Sequence, residues 1–182
     1  MKKSLYLLLG LFIIFSFNCY AGETLTAQQK EAREWVKKGL NALTFGDSSA
    51  FEYYTNAIEL DPKLADAYLG RGIAFFQFHL YYGAIDDYTK AIELDPKLAD
   101  AYYNRGLAYY AMQVFPAVAC DDFYQAGLLY LKQNNRTEAL QCIDLMKKAD
   151  PSSPLIKKLM DKIYAEPKKK NNERRPPWVN LL

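Results

Sequence analysis

The chain has 182 residues, 51% hydrophobic and 24% charged, a balance that excludes wholesale disorder. Nine Gly and eight Pro exclude collagen-like and Pro/Gly-rich classes, three Cys exclude a disulfide scaffold, and one His leaves little for a zinc site or a histidine base. The net charge of +2 divides unevenly: Lys2, Lys3 and a tail with five basic against two acidic residues leave residues 4–165 at −3, without the basic footprint of a nucleic-acid binder.

Lys2 and Lys3 precede a run from Leu5 to Phe17 that is apolar except at Gly10 and Ser16. This is the charged n-region and short h-region of a signal peptide, assigned to residues 1–21. The run falls short of the about 20 apolar residues of a membrane span. Export to the periplasm or cell envelope is therefore expected, with anchoring by an uncleaved N-terminal helix as the alternative. Two processing routes stay open. Cys19 and Ala21 put small residues at the specificity positions of a signal peptidase site, giving a mature start at Gly22. Ser16-Phe17-Asn18-Cys19 resembles a degenerate bacterial lipobox, which would leave Cys19 lipidated.

Residues 22–165 are expected to form one domain. Thr26 and Gln29 have capping-box spacing and start a helix to about Phe45. Beyond it the chain repeats. All twelve residues from Ala57 to Tyr68 recur from Ala91 to Tyr102, an offset of 34. The same offset relates Tyr54 to Tyr88, Thr55 to Thr89, Arg71 to Arg105, Gly72 to Gly106, Ala74 to Ala108 and Phe75 to Tyr109. A fixed period of this size marks a solenoid. Tyr68, Gly72 and Phe75 share one helix face, Ala84, Tyr88 and Ala91 another, and Pro96 stops the second helix. Each unit is a helical hairpin that buries its apolar faces only by stacking on its neighbours.

In Tyr68, Gly72, Phe75, Ala84, Tyr88, Ala91 and Pro96 the chain resembles the tetratricopeptide repeat family. The resemblance implies an all-α fold, a right-handed solenoid of helical hairpins with a C-terminal capping helix. The first unit, 32–64, carries Trp35, Gly39, Ala50, Tyr54, Ala57 and Pro62 and is one residue short near Asp47 and Ser48; the second is 65–98. The third starts with Tyr102, Gly106 and Tyr109. After Pro116 its pattern slips by one residue to Ala119, Phe123 and Ala126, so 99–119 merges into 120–153. Cys120, Phe123, Gly127 and Tyr130 read as a new first helix, and Ala139, Ile143 and Asp150-Pro151 as its second. A single helix over 117–134 serves both roles, and a cap follows at 154–165.

Members of this family bind proteins or peptides in a concave groove lined by the first helix of each hairpin. Here those positions are Arg33, Val36, Lys37, Leu40, Leu43 and Thr44; then Asp66, Leu69, Gly70, Ile73, Phe76 and Gln77; then Asp100, Tyr103, Asn104, Leu107, Tyr110 and Ala111. The candidate partner-binding site is the strip Leu40, Leu69, Ile73, Phe76, Tyr103, Leu107 and Tyr110 with Asn104. Only Asn104 matches the family's Lys, Asn and Arg clamp for a C-terminal carboxylate, so a co-chaperone of that kind is not expected. The strip's competing use is to pack on the chain's own N-terminal helix or tail.

Nothing assembles a catalytic, metal or cofactor site. Asp86-Asp87 and Asp121-Asp122 are adjacent, diverge by about 100° and sit near helix starts, where they favour the macrodipole. His79 falls in a turn, and Gly70-Arg71-Gly72 lies inside a helix rather than in a phosphate loop. Cys120 and Cys142 read as small buried residues, offset by roughly 12 Å along their hairpin, too far for a disulfide. The basic tail, 166–182, ends in a potential docking segment at Trp178. The sequence thus describes a non-enzymatic interaction scaffold of the cell envelope for an unknown protein or peptide. Nucleic acid, metal and cofactor are not expected, and membrane contact is confined to the N-terminal segment or a lipid on Cys19. The alternatives are a homo-oligomer whose groove receives Trp178 of another copy, or a lipid-anchored assembly factor for envelope machinery.

Overall fold

The computed structural model describes residues 25–165, which are helical throughout apart from short turns. The helices are α1 (Ala27–Thr44), α2 (Ala50–Leu60), α3 (Ala65–Gln77), α4 (Tyr81–Leu94), α5 (Ala99–Met112), α6 (Pro116–Lys132), α7 (Arg136–Ala149) and α8 (Pro154–Ile163). α1 starts at the expected capping box: Thr26 Oγ1 accepts from Gln29 N, and Gln29 Oε1 accepts from Thr26 N. Hairpins α1/α2, α3/α4 and α5/α6 stack in order, with α1, α3 and α5 side by side in one row. This is the tetratricopeptide-type helical-hairpin solenoid. α6 runs unbroken and packs as extensively on α7 as on α5, so one helix closes the third hairpin and opens the next. α8 lies across α6 and α7 as a cap.

Each hairpin turn reverses at a residue in the left-handed region: Gly46 (φ 67°), His79 (61°), Gln113 (55°) and Asn134 (60°). The helices of a pair meet at the small residues. A Cβ on Gly72 would lie 2.6 Å from the Tyr88 ring and 3.3 Å from the Ala84 carbonyl oxygen. On Gly106 it would lie 2.9 Å from Phe123 and 3.3 Å from the Ala119 oxygen. The aromatic that fills this contact, Tyr54, Tyr88 or Phe123 in successive units, is buried. At the opposite ends the Asp-Pro stops are closed by aspartate side chains, which accept from the backbone N–H two residues on at Lys63, Lys97 and Ser152.

One reading from sequence is corrected. Asp87 and Asp122 do not sit in the first turns of their helices as macrodipole partners but are buried halves of ion pairs, 6% and 4% exposed. Arg71 donates through Nε and Nη2 to both Asp87 oxygens at 2.8 Å, and through Nη1 to Thr55 Oγ1 at 3.2 Å. Arg105 repeats the clasp on Asp122 at 2.8 Å and on Thr89 at 3.1 Å. Each guanidinium thereby ties its own hairpin partner to the second helix of the preceding unit. Among the described residues the first unit shows no counterpart to this clasp; there Trp35 stacks on Tyr53 at 5.8 Å, and Lys38 Nζ lies 4.0 Å from the Trp35 ring centre.

Candidate functional site

The groove face is the side of α1, α3 and α5 turned away from their hairpin partners. Glycine and alanine at the inter-helix contacts of α3 set the register, leaving Asp66 and Gln77 exposed and Leu69, Ile73 and Phe76 half-buried. On α1, Arg33, Lys37, Leu40 and Thr44 are exposed, and Leu40 shows 56% of its surface. Two residues assigned to this face belong elsewhere. Gly70 is buried with its Cα against the Tyr54 ring of the preceding unit, and Leu43 is buried with Ala42 and Tyr54. Position 70 is glycine because any side chain there would enter that ring.

The strip is less free than its sequence pattern suggests. Leu69, Ile73 and Phe76 pack along the cluster of Ala84, Tyr88 and Ala108, and so help to join α3 to α5. Tyr103, placed in the binding strip by its position in the repeat, meets Phe123 and Tyr130 edge-on with ring centres 6.0 and 6.3 Å away. Burial raises its hydroxyl pKa, and the nearby Cys142 adds to the shift. Leu107 and Tyr110 also rest on the core built by α6, α7 and α8. Asn104 folds back on its own helix, its Nδ2 donating to the Asp100 carbonyl at 2.8 Å. Beside Tyr110 a cleft of about 270 Å³ opens between Tyr109, Gln113, Pro116, Lys148 and Ala149.

Cys120 and Cys142 are free buried thiols; burial pushes Cys142 up to about 12 and also raises Cys120, which keeps both protonated near neutrality. His79 lies in its turn, with Nδ1 2.9 Å from the Tyr81 hydroxyl. Among the described residues no three of His, Cys, Asp and Glu group to hold a metal, and no helix is long and apolar enough to cross a membrane. Cys19, Trp178, the assigned signal peptide and the basic tail lie outside the described residues.

The family model for the TPR repeat matches residues 81–113. No curated protein sequence matches the chain. Among solved structures, the TPR2B domain of yeast Sti1, in its pHsp70 complex, is 27% identical with a TM-score of 0.61, over 70% of this chain and 100% of that one. The second TPR of Spaghetti (RPAP3), bound to the HSP90 peptide SRMEEVD, is 30% identical with a TM-score of 0.54, over 58% of this chain and 99% of that one. PilF of Pseudomonas aeruginosa, at 19% identity and a TM-score of 0.53 over 76% of this chain and 69% of that one, shares the fold. The chain belongs to the tetratricopeptide repeat family. Family members of known structure hold peptide partners, and the fold serves as an interaction module.

Proposed function

We propose that the protein is a non-enzymatic scaffold of the cell envelope that holds a partner protein or peptide along the α1–α3–α5 groove. The observation that carries this reading is the apolar strip from Leu40 through Leu69, Ile73 and Phe76 to Tyr103, Leu107 and Tyr110, which keeps exposed surface on three successive first helices. Apolar surface of that extent usually marks an interaction site. The partner-bound TPR domains similar to this chain support a protein- or peptide-binding role. A carboxylate clamp is not part of the proposal, because the one matching amide, Asn104, is engaged by its own helix. The envelope assignment rests on the n-region and h-region of residues 1–21.

The test is a crosslinking pull-down from native envelopes with the parent and with a Leu40→Glu/Asp66→Lys variant, both positions exposed and free of core contacts. The variant should melt like the parent and lose the partner. Retention of every partner would leave the groove without a role. Intact mass of envelope-derived protein decides the processing: a start at Gly22, or a diacylglyceryl adduct on Cys19, supports export, and a retained Met1 rules out both forms.

A further inference from the structure

A second surface, on a different side of the molecule, carries most of the exposed large hydrophobic side chains among the described residues. The turns α1/α2, α3/α4 and α5/α6 all lie on one edge of the solenoid, because every first helix runs in the same direction. On that edge Phe45 is 87% exposed, Leu80 52%, Tyr82 74%, Val114 62% and Phe115 43%. Phe78, 42% exposed, is tied to Phe51 of the preceding hairpin with ring centres 5.2 Å apart, so the first two turns form one continuous row. The start of α4 lies level with the end of α5, which brings the third turn alongside. In the stretches 45–49, 77–82 and 112–118 the only formal charge is Asp47. The opposite edge carries instead the Asp-Pro-Lys turns at 61–63 and 95–97.

With an aromatic side chain contributing about 150–250 Å², the exposed side chains of this rim amount to on the order of 700 Å². Summed over the three turns, that is comparable with the roughly 300–600 Å² of the largest patch on an ordinary monomer. It approaches the about 800 Å² that one partner buries in a standard interface.

The rim also contains a knob and a receptacle. Phe45 stands out from the first turn, and the cleft of about 270 Å³ between Tyr109, Tyr110, Gln113, Pro116 and Lys148 opens at the third. A closed apolar cavity of about 150 Å³ already admits a benzene ring. If two copies meet edge to edge about a two-fold axis through the middle turn, the first turn of each faces the third turn of the other. Both knobs then meet both clefts, and Tyr82 meets its own copy near the axis. Such an isologous contact closes on itself. The three turns carry one formal charge, Asp47, and the cleft adds Lys148 of opposite sign, so like-charge repulsion between two rims is small. A lipid surface fits less well, because the three turns themselves carry no Lys or Arg for headgroups and Lys148 lines the cleft instead. Thr26 lies on the far edge, roughly 27 Å from the rim along α1.

We propose that this rim is a self-association surface on which two copies pair antiparallel, Phe45 of each seated in the Tyr109–Pro116 cleft of the other. The contact is separate from the groove and does not depend on it.

Sedimentation of the full chain, as the cell processes it, tests the pairing across the micromolar range. The parent should show a concentration-dependent dimer. Phe45→Asp and Tyr82→Glu, at side chains too exposed to carry the fold, should melt like the parent and weaken dimerisation about 30-fold or more. Mixing a Phe45→Cys chain with a Gln113→Cys chain under mild oxidation should give a crosslinked pair that Lys63→Cys with Gln113→Cys does not. A parent that stays monomeric overturns the proposal. So does a dimer that ignores both rim substitutions and disappears on removal of 167–182, which points to tail exchange. A monomer that binds phosphatidylcholine vesicles through Phe45 and Tyr82 assigns the rim to lipid instead. Leu40→Glu/Asp66→Lys should leave the dimer intact, so failure of the groove and failure of the rim are distinguishable.

Discussion

Breaking one clasp between units should cost more than its hydrogen bonds suggest. Asp122 has a side chain only 6% exposed, and Arg105, at 19%, supplies both of its 2.8 Å partners. Arg105→Met keeps most of the aliphatic packing but leaves a carboxylate in the core without a counter-charge, and it frees Thr89. Removing one partner of such a buried pair costs about 3–5 kcal/mol, whereas replacing both with apolar residues of similar volume is often neutral or stabilising. Arg105→Met alone should therefore lower the melting temperature by on the order of 10 °C, at about 2–4 °C per kcal/mol for a domain near this size. Arg105→Met/Asp122→Leu should recover most of the loss. Lys37→Met is the control, since its pair with Glu34 joins side chains 72% and 64% exposed and contributes about 0–1 kcal/mol. Calorimetry of the four proteins decides the matter. If Arg105→Met melts with the control, or the double variant is no better than the single, the buried charge does not set the cost and the clasp is ordinary packing.

Gly72→Leu and Gly106→Leu should each cost about 1–3 kcal/mol or more by driving a side chain into the Tyr88 or Phe123 ring; a parental melting curve would show the register of these hairpins to be wrong. Tyr88→Phe should be neutral or stabilising by up to about 1 kcal/mol, because the Tyr88 hydroxyl is buried with no partner among the described residues, and Phe123 already serves at the equivalent place; a clear loss in chemical denaturation would reveal a hidden acceptor. Tyr103→Ala should lower stability measurably, by about 1 kcal/mol or more, since the ring rests on Phe123 and Tyr130; an unchanged denaturation midpoint would return it to the groove alone.

The hairpins were legible in sequence because their determinants are local and repeat. The 34-residue offset, the small residues at Gly72 and Ala84 and the Asp-Pro stops each act within one unit. The clasp was harder to read because it joins three helices across 16 or 17 residues. Its basic member and Thr55 or Thr89 keep the 34-residue offset, but Asp87 and Asp122 are 35 apart. The extra residue is the same slip that appears after Pro116, so the acidic doublets lose their alignment just where the pairing would have shown. Periodicity also cannot report which groove residues a neighbour covers. Tyr103 occupies a groove position by its place in the repeat, yet its surroundings are fixed by α6 and α7, whose dual-role register is peculiar to this end of the chain.

That difference sets where a partner gains most. Along the strip, free apolar surface is greatest at Leu40 on α1, is shared with inter-unit packing at Leu69, Ile73 and Phe76, and is largely committed at Tyr103 and Tyr110. The cause is the stack itself. α1 is the first member of the row and has no described helix beyond it, while α5 has Cys142, Lys148 and Ala149 of α7 against its far side. A ligand that covers Leu40 removes surface from water that nothing in the fold has already buried. One laid on Tyr103 gains only the remaining face of a ring held by Phe123 and Tyr130. Affinity should therefore concentrate at the α1–α3 end, and substitutions at Leu40 should weaken a groove ligand more than equally conservative changes at Tyr110, even though both residues hold groove positions in their repeats.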